Sequence, residues 1–191
     1  YLSLLSQAIS IGGILVFGFI TSWVFGREYS DRTIKDLLAL PISRNIIVLS
    51  KFIVIIFWSF LLSVFVLALG LIVGKMIQIP GWSPSLILQE IRVFIVCAAL
   101  TAFLSTPVAF FAGLGRGYLS PLGFVILVLV FAQILAAIGY GQYFPWSIPA
   151  QISGMGGLEY DSSIGGVSFS IILFTILFGI FATVYWWRYM D

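Results

Sequence analysis

Long apolar runs without charged residues alternate with short polar segments along the whole chain. Five of these runs are long enough to cross a bilayer, which requires about 20 apolar residues in a helix. They cover approximately residues 1–25, 52–74, 93–115, 119–140 and 167–187. Because a backbone in lipid must satisfy its own hydrogen bonds, we predict a transmembrane α-helix for each run. Pro107 lies within the third run, and we expect a local kink there.

The composition agrees with a membrane protein. Hydrophobic residues make up 61% of the 191 residues and charged residues only 8%, whereas a soluble domain carries about 25% charged residues. The apolar excess must face lipid, so we predict an all-α integral membrane protein with a single transmembrane domain over residues 1–191. A net charge of +2 without a basic stripe indicates no binding of nucleic acid.

The distribution of lysine and arginine predicts the orientation, because basic residues in short loops stay on the cytoplasmic side. If the segment 26–51 is inside, that side holds seven basic residues: Arg27, Arg32, Lys35, Arg44, Lys51, Arg116 and Arg188. Lys75 and Arg92 are then the two outside. The C-terminus is cytoplasmic in this orientation and the loop 139–166 is extracytoplasmic. Tyr1 would lie outside, so we expect a sixth transmembrane helix ahead of it in the full chain.

The five runs contain no Asp, Glu, Lys, Arg or His, although proton-driven transporters normally carry such residues within the membrane. The sequence also has no histidine and no GxxxxGK[ST] phosphate-binding loop, and its single cysteine lies in an apolar run. We therefore expect no catalytic residue, no metal site and no cofactor in this chain. If the protein moves a substrate against a gradient, another polypeptide must supply the energy.

Among the polar residues within the runs, three are candidates for a substrate path, and each has two interpretations. Gln133 can make an interhelical hydrogen bond worth about 1 kcal/mol, or it can contact a substrate. Thr101 and Ser105, which precede Pro107, can satisfy backbone carbonyls freed by the proline or line a substrate path.

The segment 26–51 holds the densest group of charges in the chain. Part of it has helical spacing, which places Ile34, Leu37 and Leu38 on one face. The charged residues gather on another face: Glu28, Asp31, Arg32 and Lys35. This pattern predicts a short amphipathic helix at the cytoplasmic surface.

Local signals predict where this short helix begins and ends. Ser30 or Asp31 can cap its N-terminus. Pro41 stops it, because the residue before a proline is biased away from the helical region. Ser43 can then cap the next helix, which runs through Lys51 into the second span.

The acidic residues are the unusual part of this segment. Glu28 and Arg32, like Asp31 and Lys35, are acid-before-base pairs four residues apart, each worth a few tenths of a kcal/mol in a helix. Anchoring on the cytoplasmic side requires basic residues and gains little from acids. The mixed charge therefore favours docking against another protein over a topology signal or a face that is solvated or lies on lipid.

The same segment resembles a known family. Residues 25–53, FGREYSDRTIKDLLALPISRNIIVLSKFI, are similar to the cytoplasmic connection of type 2 ABC exporter permeases. The positions that match its pattern are Glu28, Thr33, Leu37, Leu38, Pro41, Ser43, Arg44 and Lys51. In that family the connection is the coupling helix, which fits a groove on a separate ATPase subunit. The resemblance implies coupling contacts at Glu28, Asp31, Arg32, Thr33, Lys35, Leu37, Leu38, Pro41, Ser43 and Arg44.

A second stretch, GYGQYFPWSIPA at Gly139–Ala150, looks like a segment of permeases from the bacitracin and lantibiotic resistance branch. Its prolines and aromatic residues predict a broken interfacial or re-entrant turn.

Together these resemblances imply the membrane subunit of an ATP-driven exporter in the plasma membrane of a bacterium. It would pair with a second permease copy or homologue and with ATPase subunits that hold ATP and Mg²⁺, and it would export an amphipathic, lipid-like or peptide-like substrate. Two alternatives stay open at this point. One is a membrane scaffold or accessory subunit that transports nothing, and the other is a channel or a carrier driven by an ion gradient.

Overall fold

The computed structural model describes residues 1–38, 41–77, 83–155 and 165–189. Within this part of the chain there is no β-strand, and the elements are α1 (Leu2–Ser30), α2 (Ile34–Leu38), α3 (Arg44–Met76), α4 (Pro84–Phe103), α5 (Thr106–Gly115), α6 (Leu119–Ala137), a short 3-10 helix (Gly141–Tyr143), α7 (Ile148–Ile152) and α8 (Gly166–Tyr189). Five spans are long and apolar enough to cross a membrane: α1, α3, α4 with α5, α6 and α8. The prediction of an all-α membrane protein with five such spans is confirmed.

α1 and the third span, formed by α4 and α5, lie at the centre of the bundle. Buried residues make up 50% of the most apolar stretch of α1 and 61% of that of the third span, against 22% in α3, α6 and α8. α1 contacts α3, α4, α5 and α6, while α8 packs against α5 and α3. The three outer helices therefore present most of their apolar surface away from the protein, as lipid-facing helices do.

The third span is broken in the middle of its apolar run, next to Pro107. Proline has no N–H, so one carbonyl of α4 loses its helical donor. Two hydroxyls bond backbone carbonyls at this point: Thr101 Oγ1 donates to Cys97 O at 2.8 Å, and Ser105 Oγ donates to Ala102 O at 2.7 Å. The expected break is present. The carbonyl that Pro107 deprives of its donor is that of Phe103, whereas the two hydroxyls bond other carbonyls of α4.

α8 lies directly against this break because it has a glycine at the contact. A Cβ on Gly179 would lie 2.5 Å from the nitrogen of Pro107 and 2.8 Å from the carbonyl carbon of Thr106. Thr106 Oγ1 also donates to the backbone oxygen of Ile176 at 3.3 Å. The close approach of α8 to α5 therefore depends on a position without a side chain.

The chain between α6 and α8 turns back into the bundle, and we call residues 141–155 the re-entrant segment. Trp146 Nε1 donates to the carbonyl of Leu104, at the break in the third span, over 3.1 Å. Ser10 Oγ donates to the carbonyl of Pro149 over 3.0 Å. Of the two geometries expected for this stretch, the re-entrant one is observed. The rest of the expected loop, 156–164, lies outside the described residues.

Candidate functional site

The charged segment lies at one end of the bundle, where α1 ends, α3 begins and α8 ends; we call this the charged end. α1 continues beyond its apolar run as far as Ser30. The N–H of Asp31 donates to Arg27 O at 2.8 Å, and Arg32 then takes a left-handed backbone conformation with φ of 59°. Asp31 therefore closes α1, and the prediction that Ser30 or Asp31 caps the N-terminus of α2 is wrong.

Lys51 is the centre of the charged end. Its Nζ lies 2.8 Å from Glu28 Oε1 and donates to the backbone oxygen of Val24, also at 2.8 Å. The same ammonium lies 5.7 Å from the ring centre of Phe25 and 6.0 Å from that of Trp187. Both distances are typical of cation–π contacts. Lys51 thus joins α3 to α1 through three residues and to α8 through Trp187.

The two carboxylate oxygens of Glu28 accept hydrogen bonds from different residues, Lys51 and Thr33. Thr33 Oγ1 donates to Glu28 Oε2 at 2.8 Å, so the carboxylate connects Lys51 to the start of α2. Glu28 lies in the last turn of α1, beyond the charge-free run. Burial raises the pKa of its carboxyl, but the hydrogen bonds from Lys51 and Thr33 and the charges of Lys51 and Arg27 outweigh burial and hold the pKa below its ordinary value. Glu28 is therefore ionised at neutral pH.

The ion pairs differ from those expected within a continuous helix. Glu28 pairs with Lys51 and not with Arg32, because the backbone leaves the helix at Arg32 and the four-residue spacing no longer places the two side chains together. Asp31 pairs with Arg27, on its own helix, at 3.2 Å. The side chain of Lys35, its expected partner, lies outside the described residues. The Arg27–Asp31 pair is largely exposed and adds little stability.

Arg44 fastens the beginning of α3 to the end of α8. Its Nη1 donates to the carbonyl oxygens of Trp187 at 3.2 Å and Arg188 at 3.1 Å. The last carbonyls of a helix lack hydrogen-bond donors within the helix and carry partial negative charge. A guanidinium therefore stabilises them both by donating hydrogen bonds and by its positive charge. Ser43 precedes α3 as predicted, but its side chain makes no capping hydrogen bond.

We expect Arg44→Met to loosen the end of α8. The variant keeps much of the apolar stem but removes the donors to both carbonyls, so amide hydrogen exchange in the last turn of α8 should become about tenfold faster, the equivalent of losing one or two modest hydrogen bonds. The measurement is hydrogen–deuterium exchange read by mass spectrometry. Asn45→Met, at an exposed neighbouring position, is the control and should leave that exchange unchanged. Equal exchange rates in the two variants would refute the contact.

α2 rests on the bundle through its apolar face. Ile34 and Leu37 are half-buried and pack against a core cluster that includes Phe25 and Trp187. Leu37 therefore attaches α2 to its own membrane helices. The remaining predicted coupling residues that the structure describes at this end are exposed: Asp31, Arg32, Thr33, Pro41 and Ser43. The side chain of Leu38 and residues 39–40 lie outside the described part.

The polar residues predicted within the spans take different places. Thr101 and Ser105 are buried at the kink, and Ser105 Oγ also accepts from Thr21 of α1 at 3.1 Å. Gln133 is exposed on α6 and makes no hydrogen bond to any residue that the structure describes. The interhelical hydrogen bond that we considered for Gln133 is therefore not formed within the described part of the chain. It lines a cavity beside the re-entrant segment.

Sequence reasoning missed one residue of the charged end. Trp187 is fully buried, whereas its position at the end of an apolar run is typical of an interfacial aromatic residue. Trp187 contacts Lys51, which is far from it in the sequence. No local sequence pattern predicts such a contact.

Comparison with known proteins identifies the class. The family model described as ABC-2 family transporter protein matches residues 3–133. The chain therefore belongs to the ABC-2 transporter family and is a multi-pass membrane subunit, the permease, of an ABC transporter. The bacitracin transport permease protein BCRB of Bacillus licheniformis is 30% identical to it over 180 residues, which cover 94% of this chain and 85% of that protein. No solved structure matches. The resemblance to permeases of the bacitracin resistance type is confirmed.

Proposed function

We propose that this permease couples ATP hydrolysis by separate ATPase subunits to the export of an amphipathic substrate. The observation that carries the proposal is the construction of the charged end. There a short helix with exposed polar residues packs on the bundle and is joined to Glu28 of α1 through Thr33. Lys51 and Arg44 hold α1, α3 and α8 together. A displacement of this short helix by the ATPase would therefore be transmitted to α1, α3 and α8 together. ATP and Mg²⁺ would be bound by the ATPase subunits.

The charged end would face the cytoplasm, where ATP is available. The distribution of basic residues supports this orientation, with seven at or near the charged end and two, Lys75 and Arg92, at the other. The C-terminus would then also be cytoplasmic. A second copy of the permease or a homologue would complete the passage, as the resemblance to type 2 ABC exporter permeases implies.

The contact with the ATPase would use the exposed face of α2 and its flanks. Ile34 and Leu37 are engaged with the bundle, so the groups free to meet a partner are polar ones such as Arg32 and Asp36. Charged groups at the rim of an interface contribute mainly to partner choice and association rate. Contacts by Leu38 and Lys35 remain predictions.

The substrate would be of the kind that the similar permease handles. That relative is named for bacitracin transport, and lipid-facing helices with few polar groups suit an amphipathic, lipid-like or peptide-like molecule. We therefore propose bacitracin as the first substrate to test.

We expect Asp36→Lys to weaken the complex with the ATPase without affecting the fold. Asp36 is exposed on α2, and reversing a rim charge that faces a complementary partner typically costs about 1–2 kcal/mol of binding, or about tenfold in affinity. The measurement is the amount of ATPase subunit that copurifies with tagged permease at several salt concentrations, with the thermal unfolding of the permease measured in parallel.

Lys75→Glu, an exposed charge reversal at the opposite end of the bundle, is the matched control and should leave copurification intact. An ATPase that copurifies equally well with both variants would refute the contact at α2. Capture of a partner without nucleotide-binding motifs, and of no ATPase, would instead favour a membrane scaffold.

A further inference from the structure

A cavity of about 310 Å³ lies between α1, α6 and the re-entrant segment. Its described lining is mostly apolar, with Ile11 and Ile14 from α1 and small alanines from α6. Ala137 and Met155 on its border are exposed, so the cavity opens at the surface of the bundle. It lies in the half of the bundle away from the charged end, because the re-entrant segment enters from that side.

Two buried polar side chains line this cavity: Ser147, whose hydroxyl donates to the carbonyl of Gly141, and Gln151 on α7. Gln151 is 7% exposed, and neither its Oε1 nor its Nε2 has a hydrogen-bond partner among the described residues. Burying a carboxamide without partners is costly, and such groups are rare in proteins. The amide lies close to Gly141, where a Cβ would collide with it. A glycine thus makes room for an amide whose donors and acceptor are unused.

Gln133 on α6 supplies a second carboxamide to the same cavity. It makes no hydrogen bond within the described residues, and it comes from a different element than Gln151. The lining that the structure describes contains no charged side chain. Two amides in an apolar cleft offer donors and acceptors together and no countercharge for an anion or a cation.

We propose that this cavity binds the uncharged, hydrogen-bonding group of an amphipathic ligand, such as a carboxamide, with the apolar part of the ligand lying along α6. The amide of Gln151 is packed against Gly141 and would have to turn toward the cavity to meet the ligand. Once turned, a single ligand carboxamide would satisfy both of its free atoms, because two carboxamides pair through one donor and one acceptor. The inference rests on the proposed function and extends it: the permease recognises the neutral amide part of its substrate in the outer half of the membrane.

The test compares three probes with the same dodecyl chain: N-dodecylacetamide, dodecyl phosphate and dodecyltrimethylammonium. Ala137→Cys places a reactive thiol at the border of the cavity, while the native Cys97 is fully buried. Protection of this thiol from a maleimide is measured in membrane vesicles that contain the full-length protein. A given probe partitions to the same extent into vesicles that contain different variants. A difference in protection between variants therefore reports binding at the cavity.

We expect N-dodecylacetamide to protect the thiol best and to need about tenfold higher concentration in Gln151→Leu and in Gln133→Leu, since each variant removes hydrogen bonds to the ligand. Gly141→Ala should weaken protection as well, by displacing the amide of Gln151. The charged probes should protect poorly and equally in all variants. Gln142→Leu, at a neighbouring glutamine that does not line the cavity, is the control and should behave like the parent.

Equal protection by the three headgroups, or unchanged protection by the acetamide in Gln151→Leu and Gln133→Leu, would overturn the inference. Gln133 is exposed, so its variant keeps the test decisive if Gln151→Leu folds poorly. The experiment uses no nucleotide. If the acetamide is not preferred, that result refutes the amide site and leaves the proposed function untouched. Transport that needs no ATP would refute the proposed function and leave the amide site untouched.

Discussion

Lys51→Met should lower the free energy of unfolding by on the order of 2 kcal/mol, because it leaves the carboxylate of Glu28 partly buried without its ammonium partner. The side chains of Lys51 and Glu28 are 12% and 23% exposed, so the cost stays below that of a fully buried broken pair. The variant also removes the donor to Val24 and the contact with Trp187. The free energy is measured by unfolding the purified protein in mixed micelles.

Two further variants separate the ion pair from a general effect of mutation. Glu28→Gln combined with Lys51→Met removes the unpaired charge and should recover about half of the lost stability. Asp31→Asn breaks the exposed pair with Arg27 on the same helix and should cost less than about 0.5 kcal/mol. If Asp31→Asn were as destabilising as Lys51→Met, the special role of Lys51 would be refuted.

Gly179→Ala should destabilise the protein by about 2 kcal/mol, within the usual range for an overpacked core. The atoms that a Cβ would meet belong largely to the backbone of Thr106 and Pro107, and backbone cannot rotate away as a side chain can. α8 must therefore move off α5. The same unfolding measurement in micelles reports the effect, and Gly179→Leu should be more severe.

Gly12→Ala provides the matched control for this substitution. Gly12 lies inside α1, and a Cβ there would meet nothing within 4 Å. Alanine is also the better helix former, so this variant should be neutral or slightly stabilising, by at most about 1 kcal/mol. Equal destabilisation by the two alanines would show that the contact of α8 with the kink is not tight.

Local patterns in the sequence were sufficient to predict several elements of the fold. Hydrophobic runs define the spans because lipid imposes the same requirement on every residue of a run. Pro107 marks the kink because the missing N–H is a property of the residue itself. The prolines and aromatic residues between α6 and α8 indicated a broken segment, though not how deeply Trp146 enters the bundle.

Contacts between distant residues could not be predicted in this way. Glu28 lies 23 residues from Lys51, and Arg44 lies 143 residues from Trp187, so only the packing of whole helices brings these groups together. The pairing expected within a helix failed at Arg32, where the backbone turns left-handed. The unpaired amide of Gln151 has no local signal either, since its surroundings come from α1, α6 and Gly141.

The most direct test of ATP-driven export is the uptake of bacitracin by inside-out membrane vesicles that contain the permease with its ATPase. We predict uptake that requires hydrolysable ATP, persists when ion gradients are dissipated, and falls about tenfold per ATP hydrolysed in Lys51→Met, as expected for the loss of roughly 1.4 kcal/mol of coupling. Uptake that continues without ATP and follows an imposed ion gradient would contradict ATP-driven export through the charged end.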